Sequence, residues 1–392
     1  MLGGLNRMLK VGFILDLSQS WLGGVNYYRN LFQAVEDYGK GIELIAFTGK
    51  DSDTSFLKDF PAGIDIFTTG LLTKWHPLWL AAHLCRRYLG KDFITSWFMK
   101  NHGITVLSHN NSGIEYPGLR NIAWIPDFQH KYLPEFFSDD EIVARDNNFS
   151  NIAKTSDVVL LSSHDAEKDF KKFYPEYALK ARVLQFVPNL NLNVEYDFDN
   201  LRKKYNLPEK FFFLPNQYWI HKNHKVVLEA LKVLKQQIPD IVVVSTGNTK
   251  DYRVTEHYEK LQQYITDNHL TENYRILGLV PYEDVQALGQ FCVAYINPSL
   301  FEGWSTVVEE AKYRGKRIIL TNLLVHQEQT PPLGRYFSPH DVNELANIMA
   351  HVWEEKEPER NLEKLTQHLE ESRRKFAETY VKILYGASFQ KL

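Results

Sequence analysis

Cysteine is nearly missing: Cys85 and Cys292 are the only two in 392 residues. Two thiols without a Cys-x-x-Cys pair exclude a disulfide framework, and a reducing compartment is the simplest setting for them. An excess of either charge is missing too. With 45 Lys and Arg against 48 Asp and Glu, and a formal net charge of −3, the chain lacks the positive surplus that phosphate-backbone binding needs, so no nucleic-acid partner is expected. No window offers about 18 uninterrupted apolar residues, so neither a spanning helix nor a cleaved signal is expected. The short run Val11–Leu15 is broken by Asp16, and Met8 opens a better beginning than Met1, which leaves residues 1–7 as an extension. The 14 histidines are scattered, with no His-Glu-x-x-His and no Cys/His cluster, so no metal site is expected. Internal repeats and low-complexity tracts are absent as well.

What is present is length and rhythm. A chain of this size folds as two or more domains of about 100–200 residues. Short apolar runs read as buried strands at Lys10–Leu15, Ile42–Phe47, Ile104–Ser108, Ile122–Ile125 and Val158–Ser162, separated by helix-length spacers. The rhythm restarts at Phe211–Leu214 and continues through Ile241–Thr246, Tyr274–Leu277, Val293–Ile296 and Arg317–Thr321. Helical patterns fall at Asn26–Tyr38, His224–Gln236, Thr255–Asn268, Tyr282–Gln290 and Val307–Arg314. Strands alternating with helices give a parallel sheet covered on both faces. The expectation is an α/β chain of two doubly wound, Rossmann-like domains, residues 1–188 and 189–372, joined near Val187-Pro188-Asn189 where a proline ends a strand. The charged tail then regains an apolar face at Phe376, Tyr380, Ile383, Leu384 and Tyr385, the pattern of a helix with one packed side.

Three stretches carry chemistry. Gly23-Gly24, between the first strand and the first helix, puts bare amides at a helix N-terminus, where an anion is favoured. The pattern is neither Gly-x-Gly-x-x-Gly nor a phosphate loop ending in Gly-Lys-Ser/Thr, and a plain βα turn explains it equally well. In Leu214–His224, Asn223 is placed to cap the helix that starts at His224, and Lys222 lies at the C-terminal edge of the sheet, where its ammonium either neutralises a diphosphate or stands as a solvated surface lysine. In Asn297–Gly315, Thr306 and Glu309 fit a capping box and Gly315 a helix stop. Glu302 precedes that helix and Glu310 lies within it. Two such carboxylates can accept paired hydrogen bonds from sugar hydroxyls, while the amides of Ser305 to Val307 face a phosphate. His109, His130 and His164 lie at or just past the first-half strand ends, as hydrogen-bonding groups on the acceptor side or as polar loop residues.

Taken in order, these stretches resemble the retaining glycosyltransferases of the GT-B fold, family 4. The likeness is carried by Gly23-Gly24, by Asp127 in Trp-Ile-Pro-Asp-Phe-Gln-His-Lys-Tyr-Leu-Pro-Glu, by Ser162-Ser163, by Leu214–His224 and by Pro298-Ser-Leu-Phe-Glu-Gly-Trp. Seven residues separate Glu302 from Glu310, the family's Glu-x7-Glu spacing. The resemblance implies two Rossmann-like domains facing a cleft, with a nucleotide sugar held by the C-terminal half and a glycan or lipid-linked acceptor by the N-terminal half. It implies Glu302 on the sugar hydroxyls, Glu310 on the ribose, and Lys222 with Asn216 and His221 near the diphosphate. Gly23 and Gly24 approach the phosphate, Gly303, Trp304, Ser305, Thr306 and Val307 complete its cradle, and Leu279 and Val280 frame the base. Asp127 and His130 join Glu302 and Lys222 as catalytic candidates. A final helix over about 373–392 is implied to cross back onto the first domain.

Two departures stand out. Asn216-Gln217 replaces the arginine that many relatives carry before the lysine, and Pro126 replaces a histidine before Asp127, with His130 as the substitute. The implied reaction moves a hexose, glucose from UDP-glucose, onto a hydroxyl in polysaccharide biosynthesis, with retention, without metal and without a cofactor, the nucleotide sugar being a substrate. A UDP-sugar 2-epimerase of the same fold and a catalytically silent sugar-binding protein are the rivals. The expected location is the cytoplasm. Leu71–Tyr88 mixes Trp75 and Trp79 with Arg86 and Arg87 as interfacial helices do, so peripheral contact with the inner membrane face is weighed against packing on the first domain, the favoured reading.

Overall fold

A computed structural model describes residues 8–15, 22–52, 57 and 60–386. The extension at residues 1–7, Asp16, Trp21 and the last six residues of the expected final helix lie outside them. The chain divides into two compact units, one built from residues 1–128, 139–189 and 370–392 and the other from 129–138 and 190–369. Gln129–Ser138 therefore groups with the second unit, away from the first-half strands that flank it in sequence.

In the first unit the strands are β1 (Leu9–Ile14), β2 (Ile42–Thr48), β3 (Asp65–Thr68), β4 (Val106–Asn110), β5 (Arg120–Ile125), β6 (Val158–Leu161) and β7 (Ala181–Val183). They form one sheet in the order β3-β2-β1-β4-β5-β6-β7, every pair parallel. The second unit holds β8 (Phe212–Leu214), β9 (Val243–Ser245), β10 (Tyr274–Ile276), β11 (Ala294–Asn297), β12 (Arg317–Thr321) and β13 (Gly334–Phe337), ordered β10-β9-β8-β11-β12-β13 and again parallel. Side chains alternate across each strand, and here both faces are apolar. Phe212, Leu214, Ala294, Ile296 and Ile319 pack into one core with Val227, Leu231, Leu345 and Met349, whereas Phe213, Tyr295, Ile318 and Leu320 pack into another with Leu288, Val308 and Ala311. This two-sided burial leaves helices on both faces and only the sheet's edges and ends for ligands.

The final helix runs over Leu362–Gly386, and from Glu370 onward it belongs to the first unit. Phe376, Ala377, Tyr380, Ile383 and Leu384 are buried. Tyr380 Oη donates to Ser108 Oγ at 2.7 Å, Tyr385 Oη donates to the Gly41 carbonyl at 3.3 Å, and Arg373 pairs with Asp37. These contacts hold the helix on the first sheet's own helices and strands, as the apolar spacing of its residues requires.

Packing overturns one expectation for the first unit. Leu71–Tyr88 forms a short turn and a helix at Pro77–Leu89, but the helix buries only Ala82 fully. Trp75, Leu78, Leu80, Leu84, Tyr88 and Leu89 are exposed, so burial against the first domain does not explain the segment. A second helix, Phe93–Asn101, is capped by Asp92, whose carboxylate also accepts from Arg86 at 2.9 Å.

Candidate active site

The second sheet has the 3-2-1-4-5-6 order, whose switch lies between β8 and β11, and loops past the C-terminal ends of such strands form a ligand crevice. Lys222 follows β8 and Glu302 follows β11. Asn216 Nδ2 donates to Asn297 Oδ1 at 3.2 Å, tying the two loops together at their bases.

At this switch Lys222 Nζ lies 2.7 Å from Glu302 Oε1, with 16% of the lysine side chain and 9% of the glutamate side chain exposed. Ser299 Oγ is 2.7 Å from the same Glu302 oxygen and 2.7 Å from Asn297 Oδ1, so its single proton serves one of the two at a time. Burial pushes the Glu302 carboxyl up, but the Lys222 ammonium beside it and the hydrogen bonds from Lys222 and Ser299 together hold it below the ordinary glutamate value. His326 stands nearby with its ring held neutral by burial, and its Nδ1 donates to the Thr321 carbonyl at 2.8 Å. A charged acid and a charged base thus neutralise each other at the edge of the crevice, ready to be shared with a ligand of matching charges.

Glu302 is followed by Gly303 and Trp304, both half-buried, and then by the Thr306–Tyr313 helix. Its cap is Ser305, which accepts from the Val308 amide, and not Thr306. The expected partner of the capping box, Glu309, is likewise used elsewhere: it is buried against Lys312 at 2.7 Å and accepts from Gln329 at 2.9 Å. Burial raises its carboxyl despite Lys312. Gln329 closes the loop from the other side, accepting from the Ser305 amide at 3.2 Å and donating to the Ser305 carbonyl at 2.9 Å. The Ser305 amide is therefore committed inside the protein, which removes it from the expected phosphate cradle. Thr306 and Val307 keep first-turn amides that lack an intrahelical acceptor. Glu310 is buried one turn further on and lends negative potential to Arg314 and Tyr295.

The loop after β8 is pinned by a residue that no local pattern announced. Arg253, after β9, lies 3.1 Å from the Asp251 carboxylate, donates to Gln129 Oε1 at 2.9 Å and reaches His221 Nδ1 at 3.1 Å. Its guanidinium also lies over the rings of Phe137 and Trp219 at 5.3 Å each. Asp251 in turn accepts from the Ile220 amide at 2.9 Å. His221 is buried, and its ring is held neutral by burial and by the neighbouring Lys222 and Arg253. Asn223 has a left-handed backbone (φ 52°) and occupies the cap position of the His224–Leu234 helix, but its side chain donates to the Pro339 carbonyl at 2.9 Å and makes no cap bond. Such bridges join segments 31 to 124 residues apart along the chain, so sequence spacing hides them. Ser299 was within sight, sitting inside the Pro298–Trp304 stretch.

The remaining candidates fall in different places. Leu279, exposed, and Val280, half-buried, lie in the loop past β10. His130 is buried in the second unit, edge-on to Phe137 at 6.4 Å, whereas Asp127 is half-buried in the first unit's numbering just past β5. Gly23 and Gly24 belong to the first unit and occupy the first turn of a helix that begins at Leu22, four residues before the expected Asn26. Among the described residues a Cβ on Gly23 would meet no atom within 4 Å, so none of them demands glycine there.

His109 and His164 take structural roles. His109 is buried in β4 with a left-handed backbone (φ 56°), 2.7 Å from Tyr27 Oη and 2.9 Å from Ser108 Oγ. Ser108 accepts from Tyr380 and keeps its own proton for His109 Nδ1, so Nε2–H donates to Tyr27. Burial lowers the His109 ring to about 3. His164 is exposed and pairs with Glu167 at 3.1 Å. The cavity of about 480 Å³ lined by Arg120, Asn121 and Asp157 opens where β4 and β5 begin, the opposite end of the sheet from its ligand edge. Among the described residues no group of three or more His, Cys, Asp or Glu could hold a metal ion, and no helix is long and apolar enough to cross a membrane.

Residues 197–369, which contain Lys222, Glu302 and Glu310, match the family model described as Glycosyl transferases group 1. The match spans less than half of the chain, 173 of its 392 residues. The fold of the whole chain is GT-B. HepE from Anabaena, in complex with UDP and glucose, superposes with a TM-score of 0.68 at 17% identity, covering 98% of this chain and 100% of that one. Sucrose-phosphate synthase from Thermosynechococcus elongatus gives 0.65 at 15% identity over 98% of each chain. WaaG, a glycosyltransferase involved in lipopolysaccharide biosynthesis, gives 0.61 at 14% identity over 97% and 99%. In sequence, 156 residues are 25% identical to the serotype-specific mannosyltransferase WbdA of Escherichia coli, covering 38% of this chain and 18% of that protein. The chain thus matches under a fifth of its curated relative's length.

Proposed function

We propose that this protein is a hexosyltransferase that takes its sugar from a nucleoside diphosphate sugar, UDP-glucose or a near relative, and delivers it with retention to a hydroxyl of a glycan or lipid-linked acceptor at the cytoplasmic side. The observation that carries the reading is the Lys222–Glu302 pair at 2.7 Å on the β8/β11 switch of the segment that matches the group 1 model. A donor of this class brings a dianionic diphosphate next to a ring of hydroxyls. Lys222 suits the first, and Glu302, held ionised, accepts from the second. Glu310 is assigned the ribose, Thr306 and Val307 amides the phosphate, and Leu279 with Val280 the base. That HepE was solved with UDP and glucose, and that WaaG acts in lipopolysaccharide biosynthesis, favours this donor and acceptor class.

In the proposed step the bond from the sugar's anomeric carbon to the diphosphate oxygen breaks, and a bond to the acceptor oxygen forms on the same face. The acceptor's proton passes to the departing diphosphate, whose charge Lys222 and the first-turn amides stabilise without a metal. Glu302→Ala should lower transfer by roughly 10²–10³, the scale of removing one preorganised electrostatic partner, while calorimetric binding of UDP changes little. Undiminished turnover sinks the assignment. The product anomer, read by NMR, tests retention; isomerised donor without acceptor would instead reveal an epimerase, and binding without UDP release a silent sugar-binding protein.

A further inference from the structure

The helical hairpin of Pro77–Leu89 and Phe93–Asn101 seats Met99 and Phe98 against Ile45 and Phe47 of the first sheet's core, yet the rest of it and the turn before it display a concentration of bare aromatic surface. Trp75 is 79% exposed, Tyr88 75% and Trp97 66%, joined by Leu78, Leu80, Leu84, Leu89 and Phe93. Leu80, Leu84 and Tyr88 recur every fourth residue on one helix, and Phe93 and Trp97 do so on the next, so each helix turns an apolar stripe to solvent. Patches of this kind on a water-soluble surface mark a contact site. Charge says what the contact is with. Between Gly70 and Asn101 five Lys or Arg stand against a single acid, Asp92, in a chain whose overall charge is −3. Asp92 is itself buried as a helix cap and pairs with Arg86, which leaves Lys74, Arg87 and Lys100 exposed around the stripes.

We infer that this hairpin docks the protein on an anionic lipid bilayer, with Trp75, Leu84, Tyr88 and Trp97 entering the interface and Lys74, Arg87 and Lys100 meeting the headgroups. Tryptophan and tyrosine suit the boundary between water and acyl chain, and long basic side chains reach the lipid phosphates beside them. A second copy is the poorer occupant, because a twofold contact would oppose two hairpins of the same positive sign. The inference does not rest on the donor reading, and its test uses no nucleotide.

The full chain is sedimented with phosphatidylcholine vesicles and with vesicles that also contain phosphatidylglycerol. Binding should be about ten-fold or more stronger to the anionic vesicles and should weaken as salt rises. Trp75→Glu/Trp97→Glu should abolish it, and Lys74→Glu/Arg87→Glu should remove the preference for anionic lipid; all four side chains are exposed, and unchanged thermal unfolding verifies that each variant folds. Equal binding to both vesicle types, unaltered binding by the variants, or no binding at all overturns the inference. So does concentration-dependent dimerisation that Trp75→Glu/Trp97→Glu abolishes, since the face then belongs to a second copy.

Discussion

Replacing Lys222 with methionine tests the charge logic of the site apart from any substrate. Methionine keeps the length and apolar stem of the lysine but leaves Glu302 with Ser299 as its close hydrogen-bond donor. Breaking a buried ion pair by removing one member costs about 3–5 kcal/mol, because a desolvated charge is left behind. Since 16% of the lysine side chain and 9% of the glutamate side chain reach solvent, the lower end, about 3 kcal/mol, is expected at neutral pH. In the native protein Glu302 is held below its ordinary 4.5, so its contribution is present above that pH and is lost as pH falls through the depressed value. Without Lys222, burial prevails and the carboxyl rises above 4.5. The variant's deficit should then be greatest near neutrality and shrink as pH falls through the raised value and the carboxyl becomes protonated. Urea unfolding of the native chain, Lys222→Met, Glu302→Gln and the double variant, run between about pH 4 and pH 8, yields the coupling energy directly. A deficit that does not change with pH, or a coupling below about 0.5 kcal/mol, would refute the reasoning and reduce the pair to a surface contact.

Other expectations bear on single features. Gly23→Ala should leave stability unchanged or raise it by up to about 1 kcal/mol, since no atom of the described residues lies within 4 Å of the added Cβ and alanine favours the helix; if Gly23 faces the donor, the Michaelis constant for the nucleotide sugar rises in the same variant. Tyr380→Phe should cost about 1 kcal/mol in urea unfolding by removing the bond to Ser108 that fastens the final helix. Burial holds His109 and His224 at about 3, while the unfolded chain takes up their protons below about 6.5. Each therefore withdraws roughly 2 kcal/mol of stability by about pH 5, and equal stability at pH 7 and pH 5 would contradict their buried, neutral state. Arg253→Lys retains the charge but not the fork that holds Asp251, Gln129 and His221 together. Turnover should fall more than UDP affinity, a split that simple loss of stability would not produce.

The order of buried strands and the two doubly wound sheets were legible in the chain itself, because a strand buried on both faces must be a continuous apolar run. Phe211–Leu214 and Arg317–Thr321 show this directly. Strands β3, β7 and β13 escaped notice for the complementary reason: each is a sheet edge, partly solvated, and carries residues such as Asp65, Arg182 and Arg335 that break the run. Lys222, Glu302 and Glu310 were also within reach of sequence reading, since strand ends and helix starts announce themselves through Asn, Gly, Pro and Ser. The cap at Ser305 was misplaced by one residue because Thr306 and Glu309 satisfy the same rule on paper, and only the claims of Gln329 and Lys312 decide between them.

The alternation of short apolar runs with helix-length spacers had already pointed to an ordinary α/β framework, and the near absence of cysteine and of net charge to a chain without disulfide staples or a global charge excess, for those properties are carried along the chain itself. Tertiary structure decided where charge is spent. It paired Lys222 with Glu302, brought Arg253 back to the loop that carries Lys222, withdrew the Ser305 amide, and left Trp75, Tyr88 and Trp97 in water. Each of these outcomes depends on which surfaces meet through space, and a one-dimensional pattern records only neighbours along the chain.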